Sequence, residues 1–294
     1  MKAAPFDYVR PATVEAACAR LAADADAVII AGGQTLVPMM AMRLARPSCL
    51  VDIARLAELQ GIRDDGDAIV IGAATRQVTA AESATVAAKA PLLAAALPFV
   101  GHAATRTRGT VGGSVANADP AAEIALVLTT LRGSIMLREP AGSRRVAADA
   151  FFVGPMVTAA TQGSCVTAIH FPVWQTGRIG VGFEEISARR SDFALVAAAA
   201  QVALDASGRC TACALGIGGA CAVPCRVDSA GEALVGSVMS DKEIIDAARA
   251  GADALDIMSS PHASDAYRRR AAATLGARAL TRARDQAARH GLPA

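Results

Sequence analysis

The chain has 294 residues, of which 53% are apolar and 19% are charged, and its formal net charge is +2. This length favours about two domains, and the composition is that of a globular protein rather than a disordered one. A near-neutral charge gives little support to nucleic acid as the main partner, because binding to a phosphate backbone requires concentrated basic charge.

Targeting signals are not evident in the sequence. The N-terminal residues lack a long apolar region and carry Asp7 and Glu15 early, which is unlike a signal peptide. The longest apolar run, residues 193–204, is too short for a membrane span and contains Gln201. The seven Cys are odd in number and scattered, so we expect reduced thiols in a soluble, cytoplasmic protein without a membrane span.

The first 56 residues read as a compact β-α-β unit. Residues 13–23 have helical apolar spacing, with Thr13 as N-cap. Short buried strands are predicted at 27–30 and 48–56. The segment between them, "LVPMMAMRLA", predicts a helix that tolerates Pro38 because this residue falls in the first turn.

The next 120 residues alternate between predicted strands and helices. Asp119 is expected to cap a helix at 120–131, with Pro120 at its first position. The remaining elements are predicted as a strand at 68–76, an Ala-rich helix at 84–97, a Gly-rich stretch at 106–120, and strands at 134–139 and 164–172.

A turn-rich segment, residues 172–180, is the predicted domain boundary. We therefore expect one domain at 1–175, with subdomains of about 1–56 and 57–175, and a second at 176–294. The second domain has predicted strands first and helical periodicity last, which indicates an α+β fold. Its strands are expected at 181–189, 194–208 and 210–220, with turns at 190–192 and 206–208 and a helical tail at 241–290 that breaks near 259–264.

The segment "AGGQTLVPMM", residues 31–40, follows the first predicted strand. Without Cβ atoms at Gly32 and Gly33, backbone N–H groups at the mouth of a helix can approach an anion closely. For a single Gly pair, a plain turn is the preferred explanation. The segment is also not GxGxxG, so it carries no dinucleotide-binding Rossmann fingerprint.

A second Gly pair lies in "GTVGGSVANADPAAE", residues 109–123, between the hydroxyls of Thr110 and Ser114. Two such loops are what a long ligand with two phosphates, held by two subdomains, would require. Glu123 falls at the fourth helical position if Asp119 is the cap. From the residues alone, a solvated carboxylate favoured by the helix dipole is the simpler interpretation of Glu123.

Other groups of reactive side chains are less informative. Cys210, Cys213, Cys221 and Cys225 have a spacing that could suit zinc or iron–sulfur. However, Cys210 and Cys213 lie in a predicted strand at an odd spacing that sends their thiols to opposite faces, which favours buried thiols.

The four His residues, 102, 170, 262 and 290, are dispersed and form no triad or metal cluster, so no catalytic residue is predicted. The arginines of the tail indicate a solvated basic face, with a docking surface for an acidic partner as the alternative. They are found at 268–270, 278, 282, 284 and 289.

Four ordered segments together resemble one family. They are "AGGQTLVPMM", "TRTRGTVGGSVANADPAAE", "FEEISARRSDFALV" and "YRRRAAATLGARAL". The combination is similar to the FAD-binding medium subunits of molybdenum hydroxylases, a group that includes carbon monoxide dehydrogenase, xanthine dehydrogenases and bacterial dehydrogenases of nicotine, caffeine and quinoline. The resemblance implies a two-subdomain FAD-binding domain of the vanillyl-alcohol-oxidase (PCMH) type, followed by a C-terminal flavoprotein domain with a small antiparallel sheet and helices.

The resemblance also implies site residues. It places the two diphosphate loops at 31–35 and 110–114, the ribityl-binding carboxylate at Glu123, an aliphatic flavin contact at Val166 and the aromatic cover of the isoalloxazine at Phe183. Glu185 stands where a Lys is common, and the Arg-Arg-x-Asp-Phe-Ala run at 189–194 is interpreted as structural. The implied cofactor-binding set is Ile29, Ile30, Ala31, Gly32, Gly33, Gln34, Thr35, Leu36, Val100, Gly101, Thr110, Gly112, Gly113, Ser114, Asp119, Glu123, Val166, Phe183 and Glu185.

The function implied by the resemblance is electron transfer within a complex. A small subunit would carry two [2Fe–2S] clusters, and a large subunit would carry molybdenum-pterin and oxidise an N-heteroaromatic substrate, in a dimer of heterotrimers. The FAD of this subunit would pass electrons to an external acceptor. Two alternatives stay open: a self-sufficient flavin oxidase of the same fold, and an interaction module stabilised by a metal on the four C-terminal Cys.

Overall fold

The computed structural model describes residues 2–189 and 191–289, and the fold below is that of these residues. Arg190, in the predicted turn at 190–192, and His290, at the end of the predicted tail, lie outside the described residues.

The N-terminal unit is a three-stranded parallel sheet in the order β1-β3-β2, which confirms the predicted β-α-β arrangement. Its elements are β1 (Asp7–Val9), α1 (Val14–Ala23), β2 (Ala27–Ile30), α2 (Leu36–Ala41) and β3 (Cys49–Asp52). The predicted cap is present, since the Thr13 hydroxyl accepts from Ala16 N–H at 3.2 Å. Helix α2 is shorter than predicted because the chain turns at Arg43, which has a φ of 59°.

The second subdomain contains a five-stranded antiparallel sheet in the order β4-β5-β10-β6-β7. Its strands are β4 (Ile62–Asp64), β5 (Ala68–Gly72), β6 (Ser134–Glu139), β7 (Gly142–Ala147) and β10 (Cys165–Pro172), and a small hairpin is formed by β8 (Phe152–Gly154) and β9 (Val157–Thr158). Its helices are α3 (Gln77–Ala81), α4 (Ala84–Lys89), α5 (Pro91–Ala96), α6 (Ala103–Arg108), α7 (Val111–Asn117), α8 (Glu123–Thr130) and α9 (Ala148–Phe151).

Two helix predictions in this subdomain were wrong. The continuous helix at 84–97 is divided at Ala90, because the residue before Pro91 is disfavoured in the α region. The helix predicted at 120–131 begins only at Glu123, with Ala122 at the N-cap. Asp119 instead closes a turn, in which its carboxylate accepts from Ala121 N–H at 2.9 Å and its carbonyl from Ala122 N–H at 3.0 Å.

The C-terminal domain is a four-stranded antiparallel sheet with helices on one face. Its elements are β11 (Arg178–Ser187), β12 (Ala194–Leu204), β13 (Cys210–Gly218), β14 (Cys225–Arg226), α10 (Asp228–Leu234), α11 (Asp241–Asp253) and α12 (Asp265–Arg289). Helix α12 lies directly on β11, where a Cβ at Gly182 would be 2.9 Å from Ala279 Cα. The predicted fold class is therefore confirmed.

Helix α8 is enclosed between the two domains. All eight of its residues are buried, and its apolar side chains share one core with β5 and β10 on one side and with β11 and β12 on the other. The opposite face of the C-terminal sheet packs against α11 and α12 in a separate core. The first turn of α8 is consequently buried, although the sequence pattern suggested a solvated one.

Candidate functional site

One cleft gathers nearly all the predicted site residues. It encloses about 730 Å³ between the loop after β2, the loop before α7, the start of α8 and the start of β10. Every predicted site residue lines it except Phe183 and Glu185. The two Gly-rich loops meet there, since a Cβ at Gly32 would lie 2.8 Å from Gly109 Cα.

The first loop, residues 31–35, presents backbone donors to the cleft. Gly33 has a left-handed φ of 70°, which reverses the chain between β2 and α2. In the described part of the chain, the N–H groups of residues 32–35 donate to no protein acceptor. The Gln34 side chain donates to Gly32 O at 3.2 Å and so stiffens the turn. A run of unpaired N–H groups beside a helix start is suited to an anion such as a diphosphate.

Most backbone N–H groups of the second loop, residues 109–114, donate to acceptors within the protein. Val111 N–H donates to Thr75 O at 3.0 Å, Gly112 N–H to Ala73 O at 2.9 Å, and Gly113 N–H to the Thr110 hydroxyl at 3.0 Å. Within the described ranges the Ser114 hydroxyl has no hydrogen-bond partner. This loop therefore offers the cleft mainly hydroxyls, whereas the sequence pattern had suggested two equivalent loops of N–H groups.

Glu123 is the acidic group at the inner end of the cleft. It is only 8% exposed, which shows that the solvated interpretation drawn from the residues alone was wrong. Burial raises the pKa of its carboxyl to about 7, and the nearby Asp119 adds to this, while its own backbone N–H and Arg106 act in the opposite direction. A buried carboxyl that lines a cleft is suited to accept hydrogen bonds from ligand hydroxyls.

The two remaining predicted residues lie behind the cleft wall. Phe183 is buried in the core with its ring centroid 4.9 Å from that of Phe99, so its contact with a flavin remains a prediction. Glu185 has a buried Oε2 atom without a hydrogen-bond partner in the described structure. Val166 does line the cleft, at an irregularity in the pairing of β10 with β6.

The structure adds cleft residues that the sequence reasoning missed. Ser191, Asp192 and Phe193 line the rim, and Phe193 is 70% exposed, although their segment was interpreted as purely structural. An aromatic residue next to a predicted turn was the available signal. Gln77 also lines the cleft and fixes the second loop by donating its backbone N–H to Gly109 O at 2.9 Å.

The argument that placed the thiols of Cys210 and Cys213 on opposite faces was wrong. A register shift between β12 and β13 inserts one extra residue between the two Cys, so both are buried on the same side. The Cys210 side chain is hydrogen-bonded to that of Cys213, and this contact together with burial raises the pKa of Cys213. Among the described residues no group of three or more His, Cys, Asp or Glu side chains could hold a metal ion.

Several arginines of the basic tail have internal partners. Arg269 donates to Ala252 O at 2.7 Å, and Arg284 pairs with Asp241 at 2.7 Å. Arg282 pairs with Glu184 of β11 at 2.9 Å. Part of the basic tail therefore fastens α12 to the domain. In the described structure no helix is long and apolar enough to cross a membrane.

Comparison with known protein families agrees with this architecture. Residues 4–174 match the FAD binding domain in molybdopterin dehydrogenase, and residues 182–283 match the CO dehydrogenase flavoprotein C-terminal domain.

Similar chains and structures were found as well. The 6-hydroxypseudooxynicotine dehydrogenase complex subunit alpha of Paenarthrobacter nicotinovorans is 37% identical, over 96% of each chain. The carbon monoxide dehydrogenase medium chain of Afipia carboxidovorans is 36% identical over 96% of this chain and 98% of its own length. The solved quinoline 2-oxidoreductase from Pseudomonas putida 86 superposes with a TM-score of 0.92 at 34% identity, covering 98% of this chain and 99% of that one. The chain thus belongs to the family of FAD-binding medium subunits of molybdenum hydroxylases, and it is an oxidoreductase subunit of that family.

Proposed function

We propose that the cleft holds FAD with its diphosphate at the junction of the two Gly-rich loops. The observation that carries this proposal is the run of unpaired N–H groups at residues 32–35, facing the same cleft as the buried carboxyl of Glu123. These groups fit the two polar parts of FAD, since the N–H groups suit the diphosphate and the carboxyl suits the ribityl hydroxyls.

Each part of the cleft then has a distinct task. The N–H groups of residues 32–35 bind the diphosphate, and the hydroxyls of Thr110 and Ser114 contact it from the other side. Glu123 orients the ribityl chain, and Val166 packs against the flavin ring. The remaining predicted residues, from Ile29 to Leu36 together with Val100, Gly101, Gly112, Gly113 and Asp119, shape the walls.

The redox chemistry would be supplied by the bound FAD, and the protein contributes binding, orientation and exclusion of water. We propose domains at 1–175 and 176–294, with FAD held mainly by the first.

We further propose that the chain acts inside a cytoplasmic complex. It would receive electrons from the [2Fe–2S] clusters of a small subunit and pass them to an external acceptor, while a large molybdenum-pterin subunit oxidises the substrate in a dimer of heterotrimers. An N-heteroaromatic substrate is supported by relatives named for nicotine and its derivatives at 37% identity, although a carbon monoxide dehydrogenase chain reaches 36%.

The two alternatives make different demands on the chain. A self-sufficient flavin oxidase would need its own acid–base group beside the substrate, and it would turn the substrate over without partner subunits. A metal module would need three or more ligands, whereas the described Cys side chains associate only in pairs.

The test is to express the full chain alone and together with its neighbouring genes, and then to purify it. We expect flavin absorption near 450 nm, one FAD per chain and copurifying iron–sulfur and molybdenum subunits. A colourless protein with stoichiometric zinc would overturn the FAD assignment. Substrate turnover by the chain alone would overturn the electron-transfer role.

A further inference from the structure

A second carboxyl group approaches Glu123 from the C-terminal domain. Along β11, Phe183 and Glu185 share one face because side chains alternate in a strand. Phe183 belongs to the core that encloses α8, whereas Glu184 points the other way and pairs with Arg282 of α12 at 2.9 Å. Glu185 therefore projects toward α8.

The strand register places Glu185 level with the start of α8, on the face of the sheet that packs against α5 and α8. Glu185 pairs with Ala197 of β12, and Ala197 pairs with Gly218 of β13. The next residue, Gly219, donates its N–H to Pro120 O at 2.8 Å, just before α8 begins. The Oε2 atom of Glu185 is buried there without a partner in the described structure.

Few other charged groups face this pair. Asp119 lies in the turn before α8, and Arg106 reaches the region from α6. The Arg106 guanidinium already donates to Val100 O at 2.9 Å and to Gly101 O at 2.8 Å. Helix α5, the rest of α8 and the facing part of β12 contain no ionisable side chain. Two carboxyls buried together without a dedicated cation cannot both be ionised cheaply.

We propose that Glu185 is a positioning residue that holds a proton beside Glu123, so that Glu123 is the charged member of the pair and accepts hydrogen bonds from the hydroxyls of FAD. This inference rests on the proposed function.

The electrostatics of the pair agree with such sharing. Burial raises the pKa of Glu185 to about 7, and the charge of Glu123 adds to it. The pKa of Glu123 is likewise raised to about 7, mainly by burial. Near neutral pH the pair therefore keeps about one proton. FAD would favour this singly charged state further, because it covers the cleft and brings two negative phosphates.

FAD binding is therefore coupled to the protonation of this carboxyl pair. If the complex keeps the proton that the apo pair loses above pH 7, the affinity for FAD falls as the pH rises, by at most about tenfold per pH unit. Replacing Glu185 by Gln keeps the size and the neutral charge of the protonated acid, and it removes the titration of Glu185 while Glu123 still titrates.

The experiment is a titration of the full-length apo chain with FAD between pH 6 and pH 9, by flavin fluorescence and by calorimetry in two buffers of different ionisation enthalpy. We expect the affinity of the wild type to fall at least about fivefold from pH 7 to pH 9 with proton uptake on binding. The Glu185→Gln chain should show no fall in FAD affinity above pH 7, and it should take up fewer protons on binding. Glu184→Gln is the matched control, and it should keep the wild-type slope.

A merely structural role for Glu185 would give equal slopes in the wild type and in Glu185→Gln, and that result overturns the inference while leaving the FAD site in place. Failure of the wild type to bind FAD at any pH would overturn the proposed function instead. If Glu185→Gln does not fold, Glu185→Lys serves as the second variant, since a Lys there can pair with Glu123. The affinity of the Glu185→Lys chain for FAD should also not fall as the pH rises above 7. If it still falls, the proposal is contradicted.

Apo stability provides an independent readout. The folded-state pKa values of both groups are raised above the unfolded value, so the native state binds more protons and its stability falls as the pH rises from about 5 to 7 and above. Glu185→Gln should make this fall in the melting temperature smaller, because only Glu123 then contributes to it, whereas Glu184→Gln should keep the wild-type fall. An equal fall in all three chains contradicts the shared proton.

Discussion

The two Gly-rich loops of the cleft look alike in sequence but have different physical roles. In the first, residues 31–35, the N–H groups of residues 32–35 have no acceptor in the described structure, and Gly33 has a left-handed φ of 70°. In the second, residues 109–114, most N–H groups are used inside the protein. A Cβ at Gly112 would lie only 2.6 Å from Ala73 Cα. Gly33 shapes the turn that exposes the backbone to a ligand, whereas Gly112, like Gly32 beside Gly109, allows two segments of backbone to pack closely.

The position of each loop in the fold accounts for this difference. The first follows a strand of a parallel sheet, where the loop projects beyond the carboxyl edge and its donors have no neighbouring strand. The second runs alongside residues 73–75 at the end of β5 and bonds to their carbonyls. Loss of Gly33 should therefore impair binding, and loss of Gly112 should impair folding.

The largest expected effect on stability is that of Gly112→Ala. The new Cβ would overlap the backbone of Ala73, so we expect a loss of about 2–3 kcal/mol in the free energy of unfolding. Urea denaturation of the apo chain measures it. Gly154→Ala is the matched control, because its Cβ would meet nothing closer than Val157 Cβ at 3.9 Å. Equal stability of the two variants would show that Gly112 is not a packing glycine.

The largest expected effect on FAD binding is that of Gly33→Val. A β-branched residue is disfavoured at a positive φ, so the turn should change conformation and redirect its N–H groups, at a cost of roughly 1–2 kcal/mol in stability. Loss of two hydrogen bonds to phosphate, each worth about 1.5–3 kcal/mol, should weaken FAD binding by about 100-fold or more.

Circular dichroism should show the Gly33→Val chain still folded, while fluorescence titration measures its affinity for FAD. Gly33→Asn is the control, because Asn tolerates the left-handed region, and it should retain most of the affinity. Flavin content unchanged in Gly33→Val would contradict the assignment of this loop to the diphosphate.

The sequence was sufficient to predict features that depend on local periodicity and on paired motifs. The β-α-β unit, the Thr13 cap, the strand at 134–139 and the two Gly-rich loops all have such signals. The family resemblance supplied the cofactor and the remaining predicted site residues, among them Glu123 and Val166.

Features that depend on tertiary contact were not predictable in this way. The burial of Glu123 arises because α8 is enclosed by a sheet from each domain, and no local pattern shows this. The common side of Cys210 and Cys213 results from one extra residue in β13, which reverses the alternation on which the prediction depended. The use of the second loop's N–H groups depends on carbonyls of residues 73 and 75, more than thirty positions away.

The smallest expected effects are those of removing the hydroxyls of Thr110 and Ser114 in the second loop, and the two losses should differ in what they change. Thr110 caps α7 through its contact with Gly113 N–H at 3.0 Å, so Thr110→Ala should lower the free energy of unfolding by about 1 kcal/mol, whereas Thr110→Ser keeps the cap.

Ser114 has no such partner in the described structure, so Ser114→Ala should change stability by less than about 0.5 kcal/mol. If the Ser114 hydroxyl donates to the diphosphate, its loss should weaken FAD binding by about fivefold or more. Denaturation and FAD titration of these variants measure both quantities. A stability loss without an affinity loss in Ser114→Ala would indicate that the second loop only supports the first, so that the diphosphate is held from one side.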